Sequence, residues 1–438
     1  MGPAAAITLT TGAAPLRYNN SKLLVVGTTP DYIDLIRTRH PHRALFLTDA
    51  ALRATALEPR PDRAEEILCD LDDAQEARVA LLNYLCQEKI TIDAICCFDC
   101  ETMELAAAIA ADLSLSYPSP AAIQNCRDKF VAKQRWRQHG LLCPATGLID
   151  SAADLDVFLA EHQPCVLKPL NGTGSELVHK CRSSAEGRQA LEVMTDSLMR
   201  RGSIPAAYGF APTVLAEEFI EGSEYSCDFI LENGAVEIIR LTRKIPARDA
   251  PFGTIRGYIL AELVPAGMAR QRFEETLAKS ATALGLERAI CMLDFIVRAG
   301  EIVLIELSPR PGGDCLPFLL QQVAGLDILT MALDFAQQRP LFLFHDPQQA
   351  PHACVRLRAA KAGTLKKITV GRMAAELGVI QVRIQRAVGH VIRLPPADYD
   401  SWLLGHIIFK CTPGLAPATQ ADRITAQLTV EITDDHGS

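Results

Sequence analysis

The clearest alternation of apolar and polar residues lies at positions 289–317, AICMLDFIVRAGEIVLIELSPRPGGDCLP. Apolar and β-branched residues fill positions 292–297 and 301–307, and a glycine-centred break separates the two runs. This pattern predicts two strands joined by a short turn, a β-hairpin. Each strand contains one carboxylate, Asp294 or Glu306, and we expect the hairpin to bring the two side by side.

Two buried carboxylates at close range repel each other unless a proton or a cation lies between them. Mg²⁺ accepts such an oxygen-rich setting and completes its coordination with substrate phosphates. Ser308 and Arg310 follow at the end of the second strand and add a hydroxyl and a fixed cation. The alternative is a hairpin whose carboxylates face water in the usual alternation, and this stretch alone does not decide between the two.

Three short apolar runs near the N-terminus, at 22–26, 43–47 and 94–98, are separated by helical patterns. Their order predicts a small open parallel sheet that extends to about residue 116. Glu101 follows the third run, at the edge where α/β sheets bind ligands. A charge that stabilises the start of a helix is the alternative role. The segment 117–120, which contains two prolines, marks a boundary to the next unit.

A helix is predicted at 121–139, because Gly140 follows it and is typical of a helix C-terminal cap. This helix carries Lys129. A strand is predicted at 165–169, near whose end Lys168 lies. A solvated lysine is the default interpretation of Lys129.

The loop after this strand contains Gly172, Gly174 and Ser175. Glycines let backbone amides point at phosphate oxygens, and Lys168 adds a positive charge, so the combination favours a nucleotide site. A plain hairpin turn is the alternative.

Residues 214–229 predict a buried strand, a Glu-Gly turn and a second strand that begins near Glu224. Backbone groups at 218–220 are able to pair with the edge of an adenine, and a nearby carboxylate can accept both ribose hydroxyls. Charged residues around a surface turn are the alternative.

Five cations follow, which form either a solvated basic strand or a cluster that neutralises an anionic substrate: Arg240, Arg243, Lys244, Arg248 and Arg256.

From about residue 340 the pattern becomes β-rich, with predicted strands at 353–359, 379–392 and 403–411. His390 and His406 stand alone in apolar runs, so packing is a better interpretation of them than catalysis.

Composition narrows the class of protein. A chain of 438 residues predicts two to three domains. The net charge of -8 argues against a nucleic-acid or acidic-membrane surface, for which clustered cations are expected. The 14 cysteines are scattered through apolar strands, and the pair Cys97 and Cys100 has no second pair at ligand spacing, so reduced thiols in a cytoplasmic protein are expected. The leader at 1–16 lacks a basic start and a long apolar core, and no apolar run reaches membrane-spanning length.

Lys129, the Lys168 loop, the segment at 217–224 and the hairpin follow one another in the order and spacing of the ATP-grasp superfamily. The chain resembles this superfamily over residues 116–317, about half its length, and its flanks are similar to the outer domains of the biotin-carboxylase-like branch. The resemblance implies a mixed α/β (α+β) ATP-grasp fold with three domains: a Rossmann-like open parallel sheet at 1–116, a two-lobed ATP-grasp unit at 117–338 and a β-rich piece at 339–438.

The resemblance also implies roles for individual residues. ATP is the implied nucleotide, with Lys129 and Lys168 on its phosphates and with Gly172, Gly174 and Ser175 in the loop that closes over them. Glu217 would reach the adenine amino group, Glu218, Phe219 and Ile220 would line the base, and Glu224 would hold the ribose.

Asp294 and Glu306 would bind two Mg²⁺ ions, with Mn²⁺ as the alternative metal. Ser308 stands where asparagine is commoner in the family, so direct metal ligation by its hydroxyl stays open. Arg310 matches the family arginine that steadies the acyl phosphate and the substrate carboxylate. Arg310 and Lys168 are therefore the predicted catalytic residues.

The implied reaction begins with attack of a carboxylate on the γ-phosphoryl group of ATP, and an amine then displaces phosphate from the acyl phosphate. Because the segment at 308–313 and the C-terminal piece resemble L-amino-acid ligases and carnosine synthases, we expect a carboxylate-amine ligase that makes an amide or dipeptide from small molecules. A homodimer is compatible with this resemblance. Two alternatives remain: a carboxylase that uses carboxyphosphate, as biotin carboxylase and purine carboxylases do, and a synapsin-like nucleotide binder without turnover. The sequence identifies neither the acid nor the amine.

Overall fold

A computed structural model describes residues 21–172, 174–200, 213–346, 349–371 and 377–433 of the chain. The predictions for the leader and for Thr173 of the glycine loop lie outside the described residues.

The N-terminal part is a parallel sheet, as predicted. Its strands are β1 (Ser21–Val26), β2 (Ala44–Asp49), β3 (Glu66–Cys69) and β4 (Thr91–Cys97), its helices are α1 (Pro30–Arg39), α2 (Ala50–Ala54), α3 (Ala74–Glu88) and α4 (Met103–Asp112), and the strand order is β3-β2-β1-β4. Alternate residues of β1 are buried in two different core clusters, Leu23 in one and Leu24 in the other. Burial on both faces explains why this strand is continuously apolar. The strand β3 was not predicted.

The connecting segment forms two helices, α5 (Pro120–Arg127) and α6 (Lys129–Gln138), so the prediction of one helix at 121–139 is wrong. The break lies at Asp128, whose side chain accepts hydrogen bonds from the backbone N–H groups of Phe130 and Val131. A carboxylate in this position satisfies donors that the first turn of a helix leaves free. Lys129 thereby becomes the first residue of α6.

A small antiparallel sheet with two helices follows. It contains β5 (Thr146–Ile149), α7 (Ala152–Glu161), β6 (Cys165–Pro169), β7 (His179–Cys181), α8 (Ser184–Arg200) and β8 (Val214–Glu218), in the strand order β5-β8-β6-β7. Leu155 and Leu159 of α7 and Met194 of α8 share one buried cluster with Leu167 of β6. The helices therefore cover one face of this sheet.

The largest sheet has eight strands. It begins with β9 (Ser223–Glu232), β10 (Ala235–Pro246) and β11 (Ile255–Leu260), and continues after α9 (Arg270–Thr282) with β12 (Arg288–Arg298) and β13 (Glu301–Ser308). After α10 (Leu316–Ala324) and α11 (Ile328–Ala336) come β14 (His352–Arg358), β15 (Gly363–Val370), β16 (Val379–Ile384), β17 (Val391–Ile392), β18 (Leu403–Lys410), α12 (Pro417–Thr425) and β19 (Leu428–Thr433).

The order in the large sheet is β13-β12-β9-β10-β11-β14-β18-β16, and β17-β15-β19 form a separate small sheet. The C-terminal piece is β-rich, as predicted, but β14 pairs directly with β11. The segments on either side of the boundary that the sequence suggested near residue 339 therefore contribute strands to one continuous sheet.

The core beneath this sheet contains a buried ion pair. The side chains of Arg240 and Asp228 are both fully buried and lie 2.8 Å apart. Both carboxylate oxygens of Asp228 also accept from the backbone N–H of Gly312 at 3.1 Å. Arg240 is thus a core residue that anchors the loop after β13, and it does not belong to a solvated cluster of cations.

Within the described ranges no single helix has the length and hydropathy to cross a membrane. The pair α10 and α11 passes that test only in combination, with a bend of 101° between the two helices. Both helices contribute many residues to a buried core cluster.

Candidate nucleotide-binding cleft

A cavity of about 480 Å³ lies between the small antiparallel sheet and the large sheet. Its walls come from β6, β8, β10, β12 and β13, from the loop after β6 and from the turn between β8 and β9. Twelve of the fourteen predicted site residues line this cavity: Lys129, Lys168, Gly172, Gly174, Ser175, Glu217, Glu218, Phe219, Ile220, Glu224, Asp294 and Glu306. Segments far apart in the chain thus meet at one cleft.

The hairpin places its two carboxylates as predicted. Asp294 of β12 and Glu306 of β13 are register partners. Their side chains are 18% and 29% exposed, so they face the cleft and not bulk water. The Oδ1 atom of Asp294 is buried and has no hydrogen-bond partner among the described residues. This free acceptor gives the cleft an unused ligand for a cation.

A lysine that the sequence left without a role lies between two acids of the cleft. The Lys244 Nζ atom is 2.6 Å from Asp294 Oδ2 and 2.7 Å from Glu224 Oε1. Burial alone would lower the pKa of this ammonium, but the two carboxylates outweigh burial and raise the pKa above its ordinary range. Lys244 is therefore charged and neutralises part of the acid pair.

A second lysine that the sequence did not single out supports the wall of the cleft. The buried carboxylate of Glu217 lies 2.6 Å from Lys133 Nζ and 2.8 Å from Lys168 Nζ. Burial would raise the pKa of Glu217, but the two lysines outweigh it and lower the pKa. Burial lowers the pKa of Lys133 to about 8, although Glu217 opposes this shift. Lys133 also donates to the Ile305 carbonyl at 2.8 Å, so it ties α6 to β13.

Lys129 connects α6, the glycine loop and the acid pair. Its Nζ atom donates to the carbonyl oxygen of Gly172 and lies 3.7 Å from Glu306 Oε1. Burial would raise the pKa of Glu306, but the ammonium groups of Lys129 and Lys168 outweigh burial and lower the pKa. Glu306 is therefore ionised and surrounded by positive charge.

The glycine loop needs unusual backbone angles. Gly174 has φ +64° and the next residue, Ser175, has φ +61°. Glycine adopts this left-handed region without strain, which accounts for the glycine at 174. The loop lines the cleft beside Lys168.

The turn between β8 and β9 packs tightly on the hairpin. A Cβ atom at Gly222 would lie 2.5 Å from the Val297 carbonyl oxygen. Only glycine allows this approach, because such a distance is a clash for any side chain. Nearby, the Lys180 Nζ atom lies 3.2 Å from the centroid of the Phe219 ring. The turn that carries Phe219 and Ile220 is thus fixed against both sheets.

Ser308 and Arg310 are the two predicted site residues that do not line this cavity. Arg310 donates through Nε to Cys100 Sγ at 2.9 Å and through Nη1 to the Pro311 carbonyl at 2.8 Å. Ser308 Oγ lies 3.8 Å from the same Cys100 sulfur. The structure therefore places both residues beyond the cleft, against the loop that follows β4.

Glu101 also lies away from the cleft. It borders an acidic cavity of about 710 Å³ at the carboxyl edge of the N-terminal sheet, with Asp99 and Asp70. Burial, together with Glu101, raises the pKa of Asp99 to about 7. Two acids that share a proton account for this arrangement without a ligand.

The remaining basic residues separate from one another. Arg243 and Lys244 line the nucleotide cleft, whereas Arg248 and Arg256 line a different cavity. Of the two alternatives for these cations, neither holds for all five, because Arg240 is buried in the core and the other four line two different cavities. Over the described ranges, no group of three or more His, Cys, Asp and Glu residues has the arrangement of a metal site.

Comparisons with known proteins agree with this geometry. Residues 161–317 match the family described as ATP-grasp domain. The whole chain superposes on an L-amino acid ligase from Bacillus licheniformis with a TM-score of 0.73 and 18% identity, over 96% of this chain and 100% of that one. Residues 161–317 therefore match an ATP-grasp domain, and the chain has a mixed α/β fold, as predicted.

Two curated relatives point in the same direction. The chain is 31% identical over 195 residues to D-alanine--D-alanine ligase B of Chromobacterium violaceum, which covers 42% of this chain and 57% of that protein. It is 26% identical over 251 residues to human (Homo sapiens) carnosine synthase 1, which covers 54% of this chain and 29% of that protein. The chain spans less than two thirds of the length of the first curated relatives that it matches.

Proposed function

We propose that this protein is an ATP-dependent carboxylate-amine ligase, which activates an acid as an acyl phosphate and couples it to an amine. The observation that carries the proposal is the meeting of Asp294 and Glu306 with Lys129, Lys168 and Lys244 in one cleft. Paired acids and surrounding ammonium groups are what metal-bound triphosphate requires.

In this proposal the nucleotide lies along the cleft. Lys129 and Lys168 contact its phosphates, and the loop with Gly172, Gly174 and Ser175 covers them. Glu217 to Ile220 form the wall for the adenine, and Glu224 binds the ribose. The two ion pairs of Glu217 support this role, because they hold its carboxylate in one orientation.

The acid pair fits magnesium. Asp294 retains a buried oxygen without a partner, and Glu306 is its register neighbour. Two protein carboxylates suffice, because Mg²⁺ in nucleotide sites takes its other ligands from phosphates and water. When bound, the metal would neutralise the charge that develops on the phosphoryl oxygens. Asp294 and Glu306 are the residues that would hold it, and Ser308, whose Oγ atom lies 3.8 Å from Cys100 Sγ, would not be a direct ligand.

The lysines of this chain have a defined task in the chemistry. Phosphoryl transfer spreads negative charge over the γ-phosphate oxygens, and fixed cations stabilise that charge without reorganisation. Lys129, Lys168 and Lys244 surround the position of the triphosphate. Arg310, held beyond the hairpin, would orient the substrate carboxylate and the acyl phosphate from the opposite side.

The names of the relatives suggest the substrate class. Two of them are an L-amino acid ligase and a D-alanine--D-alanine ligase, and a third is a carnosine synthase. We infer that both substrates of this chain are small molecules and that at least one of them is an amino acid.

The test is release of ADP and phosphate in the presence of Mg²⁺ and ATP, with amino acids supplied singly and in pairs and with the products read by mass spectrometry. Turnover that depends on an amino acid and yields an amide supports the ligase. Turnover that depends on bicarbonate instead indicates a carboxylase. Nucleotide binding without turnover on any acid indicates a non-catalytic binder and contradicts the proposal.

A further inference from the structure

A second cavity, of about 950 Å³, lies next to the nucleotide cleft. It is bounded by the loop after β10, the ends of β11 and β14, and the start of α12. Small-molecule sites occupy about 300–1,000 Å³. Lys244 of β10 lines the nucleotide cleft, Ile245 lines this cavity, and Pro246 lines both, so the two spaces are neighbours on either side of the end of β10.

Arginines dominate the charge of the cavity. Arg248, Arg256, Arg356 and Arg358 line it, and the acids in the lining are Asp249 and Asp422. The side chains of Arg358 and Arg256 are 11% and 18% exposed, whereas those of their partners Asp249 and Asp422 are 79% and 64% exposed. Water screens exposed carboxylates, so these acids compensate the buried guanidinium groups only in part. A third arginine of the lining, Arg356, pairs at 2.6 Å with Asp314, which lies outside the lining. Four arginines and two acids line the cavity, so the lining itself is cationic although the protein carries -8 overall.

Arg358 has a donor that nothing in the described part of the chain accepts. Its Nη2 donates to Asp249 at 2.9 Å, but its Nη1 is buried without a partner. The guanidinium lies 5.2 Å from the centroid of the Trp402 ring, which fixes its position. A buried charged donor without an acceptor is unfavourable, so an oxyanion in the cavity would satisfy it.

The start of α12 adds further donors. Its N-cap residue, Ala416, provides no side-chain acceptor, and Ala418 and Thr419 of the first turn line the cavity. First-turn N–H groups have no partner inside the helix and attract anions. They support the arginines, which carry the argument.

The opposite part of the lining is apolar. Ile245, Leu357, Trp402 and Leu404 line the cavity and are each at most 7% exposed. We propose that this cavity is a second binding site, for a small molecule in which a carboxylate or phosphate is attached to an apolar group. The proposal is independent of the ligase reaction, because it uses no residue of the nucleotide cleft.

The test is calorimetric titration of the full chain with phenylphosphonate, in the presence of saturating Mg²⁺ and the non-hydrolysable ATP analogue AMP-PNP. The analogue occupies the nucleotide cleft, so any remaining saturable binding belongs elsewhere. We expect binding to persist, Arg358→Met to weaken it about tenfold or more through loss of a charged hydrogen bond, and Arg248→Gln about threefold. Ala418→Trp, which fills the cavity without a change in charge, should abolish it.

Two controls make the result specific. Arg423→Gln removes an exposed arginine of the same helix that does not line the cavity, and it should leave the affinity unchanged. Benzyl alcohol, which lacks the anion, should bind far more weakly than phenylphosphonate. Absence of saturable binding up to about 10 mM, loss of binding when AMP-PNP saturates, or equal affinity in the Arg248, Arg358 and Ala418 variants would overturn the proposal.

Discussion

The carboxylates of Glu306 and Glu217 in the cleft are each paired with lysine ammonium groups. The side chain of Glu306 is 29% exposed, and its Oε1 atom lies 3.7 Å from Lys129 Nζ. This separation is longer than a direct hydrogen bond, in contrast to Glu217, whose carboxylate lies within 2.8 Å of both of its lysines. The carboxylate of Glu217 is therefore fixed by two lysines, whereas that of Glu306 is held less tightly, which fits its proposed role as a metal ligand.

Glu306→Gln should remove the metal contribution and preserve the fold. Glutamine keeps the shape of the side chain but loses the charge that Mg²⁺ requires. We expect the gain in AMP-PNP affinity on addition of Mg²⁺ to fall about tenfold or more, as measured by calorimetry, with unchanged thermal unfolding. Glu301→Gln, an exposed acid on the same strand, is the matched control. Full retention of the magnesium effect in Glu306→Gln contradicts the assignment.

Lys133 gives a prediction for pH. Its pKa is about 8 in the folded protein, against about 10.4 when unfolded. Between these values the unfolded chain binds the additional proton, so the contribution of Lys133 to the free energy of unfolding rises with pH. We expect the difference in this free energy between the original protein and Lys133→Met to increase from pH 8 to 10, measured by urea unfolding. A flat difference would show that Lys133 keeps an ordinary pKa and a falling one that its pKa is raised, and either result contradicts the prediction.

At the scale of elements, patterns within one strand were easier to predict than contacts between elements. The hairpin, the strand that carries Lys168 and the turn after β8 follow from apolar runs and glycines, and the structure confirms them. The positions of Lys133 and Lys244 could not be predicted, because each lysine pairs with a carboxylate that is distant in sequence: Glu217 for Lys133 and Asp294 for Lys244. Spacing gave one unused signal: Lys133 lies one helical turn after Lys129, so both face the same side.

The break between α5 and α6 was missed for a local reason. Asp128 stands directly before an amphipathic run, which is a start signal for a helix. The continuous apolar pattern on both sides concealed it. The role of Arg310 was inferred from its match to a family arginine, and such a match does not show where the side chain packs. The structure places it on Cys100, a contact between residues 210 positions apart.

Asp128→Ala tests the link between the helix start and the cleft. Loss of the cap should lower the free energy of unfolding by about 1 kcal/mol. It should also weaken AMP-PNP binding, because Lys129 is the first residue of α6 and loses its fixed position. Asp73→Ala removes the equivalent cap of α3 in the N-terminal sheet and should lower stability alone. Equal effects of both variants on AMP-PNP affinity would contradict the link.

At the scale of the molecule, one sheet joins the central and C-terminal parts. Strand β11 has β10 on one side and β14 on the other, and β14 pairs with β18. The three-domain division predicted from the sequence followed changes in composition, which give no information on strand pairing between distant segments. Because β11 would become an exposed edge without β14, the tail completes the sheet that contains the cleft.

Removal of residues 339–438 should therefore disrupt the central unit. We expect a chain that ends at residue 338 to be aggregated or unfolded, measured by size-exclusion chromatography and circular dichroism, whereas the full chain should be folded. A truncated chain that stays monomeric and binds AMP-PNP with the original affinity would show that the sheet tolerates the new edge.

The Lys244 ammonium gives the nucleotide-free protein a resident counter-ion. A divalent ion that binds without a nucleotide must compete with the Lys244 ammonium for Asp294. An ion that arrives already attached to ATP brings phosphate oxygens, which offer the displaced ammonium a new partner. If the cleft binds ATP as proposed, loading would therefore favour the preformed metal–nucleotide complex over either component alone.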